Sequence, residues 1–258
     1  MNYKNKKVLI LGSNSSVAKA ILEEAVKQNL EIETCNRQQL DITNLVALKE
    51  KFKNNYYDLV IHCAMAGQGR IFIQDSPLDF YNNLIMQENL LYLSDHYSNL
   101  IVFSSGTQNS RGIDVVDLKE GHFNEPPNNY YSLAKYINAR RVIGNKKVIN
   151  LRIFNAFTHF EKDNRFIKSN IIKYIKGQDI EIWGDAIFDF FYANDIYKVV
   201  EYFIQNPVDK YTEINLAYDK KHKFSQIVDI INNLSDHKVN VLIMLKMQVD
   251  SLSKELPC

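Results

Sequence analysis

The sequence predicts a doubly wound, parallel α/β sheet, and three observations carry that prediction. Short β-branched and aliphatic runs alternate with helical segments through residues 7–153. The first run ends in Gly12-Ser13-Asn14-Ser15-Ser16, a small-residue turn that opens into a helix. The fourth ends in Ser104-Ser105-Gly106-Thr107, and the next helical segment carries Tyr131 and Lys135. Repeated βαβ alternation places ligands at the carboxyl ends of the strands.

Taken in order, residues 7–11 form an apolar run suited to a strand buried on both faces, and residues 17–29 have helical periodicity. Residues 30–35 read as a second strand, 45–52 as a helix, 58–63 as a third strand and 80–96 as a long helix. Residues 100–103 are the fourth strand, 130–143 a helix and 147–153 the fifth strand. Gly12, residues 63–69 and residues 104–107 then all fall at strand ends. This is the Rossmann arrangement, expected over residues 1–160 as a dinucleotide-binding core. Residues 161–258 follow as a mixed region, for which the family resemblance given below implies a contribution both to the core and to a small, shortened substrate lobe, with a strand at 211–216 and a helix at 224–234.

Composition narrows the class. A net charge of +1 across 258 residues gives no reason to invoke nucleic acid or an anionic membrane. No apolar stretch approaches the ~20 residues that cross a bilayer. The apolar run at 8–11 is too short for a signal-peptide core. Cys35, Cys63 and Cys258 have no metal or redox spacing, and the six histidines have no ligand spacing, so the expectation is a cytoplasmic protein without a metal.

The first turn is a reduced phosphate-binding loop. A dinucleotide fingerprint would place glycines at Gly12, Ser15 and Ala18, and only the first is glycine. Serine and alanine are small enough for close backbone approach, so Gly12, Ser13, Asn14, Ser15, Ser16 and Val17 are the phosphate-side candidates. The second strand ends in Cys35-Asn36-Arg37, without the acidic residue that would bind a ribose hydroxyl. A guanidinium pairs with a 2′-phosphate, so Arg37 favours NADP, with NAD as the alternative.

Tyr131 and Lys135 lie four apart, on one helical face. A phenol titrates near pH ~10, and a fixed ammonium nearby favours its phenolate. With a hydroxyl from Ser105 or Thr107 against the substrate oxygen, this set can protonate a carbonyl oxygen as hydride reaches its carbon.

Together these residues resemble the extended short-chain dehydrogenase/reductase family, which acts largely on nucleotide-linked sugars. The likeness covers residues 6–235, and residues 37–43 (Arg-Gln-Gln-Leu-Asp-Ile-Thr) are especially similar to the dTDP-4-dehydrorhamnose reductase branch. The resemblance implies that Asp41 and Ile42 lie at adenine and that Cys63, Ala64 and Met65 lie beside the cofactor. It assigns Ser105, Tyr131 and Lys135 to catalysis and gives Asn83, in an N-x-x-x-x-x-N-L-L helix, a supporting role. Asn155 falls in the segment that closes on nicotinamide and substrate. Residues 182–195 are similar to the family's G-D-G-x-x-x-R-D-F-x-x-V-D-D segment, with Phe188 where an arginine usually meets the substrate diphosphate. Thr107 stands where GDP-fucose synthases carry an acid/base cysteine, which disfavours epimerisation by that route.

The implied function is reduction of a keto sugar nucleotide, with the carbonyl at C4, by a homodimer built on the helices at 80–96 and 130–143. Two alternatives stay open: an epimerase that retains NAD, and a non-catalytic dinucleotide sensor.

Overall fold

The computed structural model describes residues 5–67, 75–109, 118–121, 125–206 and 212–244. The expected strand start at Tyr211 and the segment 245–258 lie outside the described residues. In chain order the strands are β1 (Val8–Leu11), β2 (Glu33–Cys35), β3 (Tyr57–His62), β4 (Tyr97–Ser105), β5 (Val148–Ile153), β6 (Ala156–Phe157), β7 (Ile180–Trp183), β8 (Ile187–Phe188), β9 (Phe191–Tyr192), β10 (Glu213–Leu216), β11 (His222–Lys223) and β12 (Val241–Met244). The helices are α1 (Ser16–Lys27), α2 (Leu45–Phe52), α3 (Pro77–Tyr92), α4 (Tyr130–Arg141), α5 (Phe166–Ile175), α6 (Ile196–Gln205) and α7 (Phe224–Asn232).

The chain divides into two compact units. The first runs through Phe160 and takes up Asp189–Asp219 as well. Its sheet has the order β10-β5-β4-β3-β1-β2, parallel throughout. Strands covered on both faces read as unbroken apolar runs, and Val8, Leu9, Ile10 and Leu11 are all buried. On one face α1 and α6 supply Ala18, Ile21, Ile196 and Val200. On the other, α2 and α3 supply Leu48, Phe52, Met86 and Leu90. The strand order reverses between β1 and β3, which opens a crevice at their carboxyl ends.

Helix starts are chemically marked. Ser15 caps α1 by accepting from Ala18 N, Asn44 caps α2, and Asn129 caps α4. Helix α3 begins at Pro77, earlier than the pattern suggests, because Ser76 and Asp79 form a reciprocal capping box with proline in the first turn. It ends at Tyr92, followed by a 3₁₀ turn over Ser94–His96. Strand β4 runs past the apolar residues 100–103 because Ser104 and Ser105 keep their pairing with Arg152 and Ile153 of β5.

The second unit holds Glu161–Phe188 and the chain from Lys220 onward. Strands β7 and β12 pair in parallel, β8 and β11 antiparallel. Tyr174, Ile180, Ile182, Val228 and Ile231 form its own small core. No helix of the described residues is long and apolar enough to cross a membrane.

Candidate active site

The crevice between β1 and β3 is a cleft of ≈ 260 Å³. Gly12 follows β1 directly at φ +82°, a left-handed conformation that favours glycine. A Cβ there would lie 2.4 Å from Ala64 N, so the two strand ends meet at a distance only glycine permits. Asn14 and Ser15 line the cleft beside the start of α1, whose first turn carries no acidic residue. That leaves the helix's positive end available to a phosphate. Leu40, Ile42, Ala64, Ala66 and Met86 give the cleft apolar walls suited to a purine. Asp41 sits on the wall, its carboxyl held below the usual range by hydrogen bonds from the Thr43 hydroxyl and backbone and by the Arg37 guanidinium. Arg37 stands at the lip, 75% exposed, with Nε 3.8 Å from Asp41 Oδ2. A small-residue cradle, an apolar wall and a cation at the rim together fit a phosphorylated dinucleotide.

The second group of residues gathers where β4 meets α4. Tyr131 and Lys135 share one face of α4. Lys135 Nζ donates to the Phe103 carbonyl of β4 at 2.6 Å. Burial pushes the Lys135 ammonium down to about 8. At the end of β4, the Thr107 backbone N (3.3 Å) and hydroxyl (3.0 Å) both donate to Ser105 Oγ. Gly106, between them, seats the Phe154 ring, and a Cβ there would meet that ring at 2.5 Å. Two more strand-end groups lie in this field. Burial, helped by the Lys135 charge, takes His62 down to about 3, which keeps its imidazole neutral. Burial pushes the Cys63 thiol up to about 12, against a hydrogen bond with Ser15 and the pull of Lys135.

The predicted residues separate into those that line the cleft and those that support it. Gly12, Asn14, Ser15, Arg37, Asp41, Ile42, Cys63, Ala64 and Met65 line it. Ser13 donates its N–H to the Cys35 carbonyl, Ser16 opens α1, and Val17 packs on the core, so these three act behind the wall. Asn83 is buried and clamps the Ala66 backbone in both directions at 3.0 Å, which fixes the loop after β3. Asn155 accepts at its carbonyl from Phe191 N, which joins β6 to β9. Phe188 belongs to the second unit, stacked on Phe224 with ring centroids 4.9 Å apart. Ala66, in the run of small residues expected beside the cofactor, lines the cleft too, whereas sequence reasoning missed Asn36, Leu40, Thr43, Asn82 and Met86 as lining residues. Asn82 and Met86 are four apart on α3, a helical spacing that would have found them together.

The chain is similar to proteins known by sequence and by fold. GDP-L-colitose synthase of Yersinia pseudotuberculosis is 23% identical over 255 residues, covering 90% of this chain and 83% of that protein. GDP-L-fucose synthase of Azorhizobium caulinodans is 26% identical over 221 residues, covering 76% and 70%. Among solved structures, GDP-mannoheptose C4 reductase of Campylobacter jejuni with NADP bound superposes at a TM-score of 0.79, with 21% identity and coverage of 95% and 88%. The dTDP-4-dehydrorhamnose reductase of Bacillus anthracis in complex with NADP also gives 0.79, at 21% identity and coverage of 93% and 84%. The profile of the NAD dependent epimerase/dehydratase family matches residues 6–217, most of the chain, and the protein belongs to that family.

Proposed function

We propose that the protein is an NADPH-dependent reductase of a keto sugar nucleotide, with the reacting carbonyl at C4. The observation that carries this reading is the seat of Lys135: its ammonium is anchored on the Phe103 carbonyl, on the helix face that also bears Tyr131, beside the strand end holding Ser105. Support for the cofactor comes from the cleft at Gly12 with Arg37 at its lip, and from the NADP bound in two of the similar structures. The names of the relatives, which make or reduce GDP- and dTDP-linked sugars, support the substrate class.

The chemistry supplied by bound NADPH is hydride at the carbonyl carbon. Tyr131 gives its phenolic proton to the carbonyl oxygen as negative charge develops there. Lys135 stabilises the resulting phenolate and holds the nicotinamide ribose. Ser105, its oxygen already accepting from Thr107, donates its own hydroxyl proton in a hydrogen bond to the substrate oxygen. Arg37 binds the 2′-phosphate, and Asp41 orients the adenine side. A reducing compartment suits the free Cys35 and Cys63 thiols. A homodimer through α3 and α4, which expose Tyr81, Tyr92 and Ile137, completes the reading.

The test is NADPH oxidation with GDP- and dTDP-linked 4-keto-6-deoxy sugars, comparing wild type with Tyr131→Phe. General acid loss costs roughly 100- to 10,000-fold in turnover while NADPH binding is retained. Equal turnover in the two proteins sinks the mechanism. Tightly retained NAD with epimerised product supports the epimerase alternative.

A further inference from the structure

Ser104, Arg152 and Asn215 are register partners across β4, β5 and β10, so their side chains rise in a row from one face of the sheet. Arg152 is 0% exposed, an unusual place for a guanidinium, and its donors are spoken for. Nη1 donates to Asn215 Oδ1 (3.0 Å) and to the Lys119 carbonyl (3.5 Å), while Nη2 pairs with Glu213. Gln108 is also 0% exposed, and the amide orientation that satisfies both of its ends has its oxygen accept from Arg152 Nη2 (2.7 Å) and Nε (3.0 Å). Its amide nitrogen donates to Ser104 Oγ. All five guanidinium donors are thereby used.

The row has two outlets. Gln108 lies within the turn Gly106–Asn109, which also carries Thr107 and follows directly on Ser105, and Ser104 stands just before it. Glu213 accepts from Gly121 N at 2.7 Å, Asn215 N donates to Glu120, and Asn215 Nδ2 donates to the Leu118 carbonyl at 2.7 Å. One buried cation therefore ties residues 118–121 to the turn that orients the Ser105 hydroxyl.

We infer that Arg152 and Gln108 are positioning residues, which act through the 106–109 turn to aim Ser105 at the substrate carbonyl. The inference rests on the reductase reading. Thr107 donates twice to Ser105 Oγ, so the position of the turn decides where the remaining Ser105 O–H points. Small displacements of a group that meets the reacting atoms cost rate rather than binding.

The test is Gln108→Leu, alone and on a Ser105→Ala background, with kcat, KM and NADPH affinity measured for each. The expected result is a loss of about tenfold in kcat with KM and NADPH affinity unchanged. On the Ser105→Ala background that loss should disappear, because residues acting as one unit are not additive. An equal loss on both backgrounds, or no loss, overturns the inference. Should Gln108→Leu not fold, Ser104→Ala removes only the near end of the network and carries the same expectation. Tyr131→Phe in the same assay separates the two readings: if it alone is impaired, the reductase stands and the positioning role falls. If wild type turns over neither substrate, amide exchange of residues 104–109 still decides. It should quicken about tenfold in Gln108→Leu while residues 8–11 stay unchanged, and unchanged exchange overturns the role.

Discussion

Two arginines at opposite ends of the same sheet are used in opposite ways. Arg37, beyond β2, is 75% exposed and loosely paired with Asp41 at 3.8 Å. Arg152, on β5, is wholly buried and hydrogen-bonded on every side. An exposed guanidinium keeps its water and can exchange a weak partner for a phosphate at little cost. A buried one must keep its partners, since losing any of them strands a charge in low dielectric. The β1–β2 end is thus open to a ligand, and the β4–β5–β10 end holds the Gly106–Asn109 turn in place.

Perturbing each end should expose that contrast. The largest effect is expected where the cleft is tightest: Gly12→Val forces a side chain into Ala64 and strains a left-handed backbone, and should abolish soluble expression. Arg152→Met leaves Glu213 as a mostly buried carboxylate without its counter-charge and should cost about 3–5 kcal/mol in urea unfolding. The buried ammonium at the centre has its own signature in pH. Below pH 8 both folded and unfolded protein keep Lys135 charged, and its burial cost is felt in full. Between about 8 and the ordinary 10.5 the folded state releases the proton while the unfolded state keeps it, so the contribution of Lys135 to stability should rise across that window, while the raised Cys63 thiol pulls the other way above the ordinary 9 of a thiol. Urea titrations should therefore show wild type gaining stability relative to Lys135→Met from about pH 8 to 10.5. Arg37→Ala should weaken NADPH binding about tenfold, leaving NADH binding and stability unchanged, because it removes only a rim contact. The smallest effect is expected from Asn44→Ala, which removes the α2 cap and should cost ~1 kcal/mol in the same urea assay.

The two ends also differ in how much of them could be read from sequence. The β1 end is local: an apolar run, a small-residue turn and a capping serine lie within residues 8–16, and adjacency in sequence becomes adjacency in space. The parallel strands were legible for the same reason, since double-sided burial leaves an unbroken apolar run. Tyr131 and Lys135 were legible as a pair through helical spacing. The Arg152 network was not. Gln108, Glu120, Glu213 and Asn215 are scattered over about a hundred residues with no shared motif, and only the folded chain, through the register of β4, β5 and β10 and the turn after β4, collects them around one cation. Asn83 shows the intermediate case: its helix was recognisable, yet only the folded chain reveals that its amide closes on the Ala66 backbone.

The most direct test of the central claim is the fate of the transferred hydride. Wild-type protein would be given NADPH deuterated at the transferable nicotinamide position, together with a GDP- or dTDP-linked 4-keto-6-deoxy sugar. The account predicts deuterium on the former carbonyl carbon and stoichiometric NADP⁺, with both nearly lost in Tyr131→Phe. Unlabelled, epimerised product with no net oxidation of NADPH would contradict it.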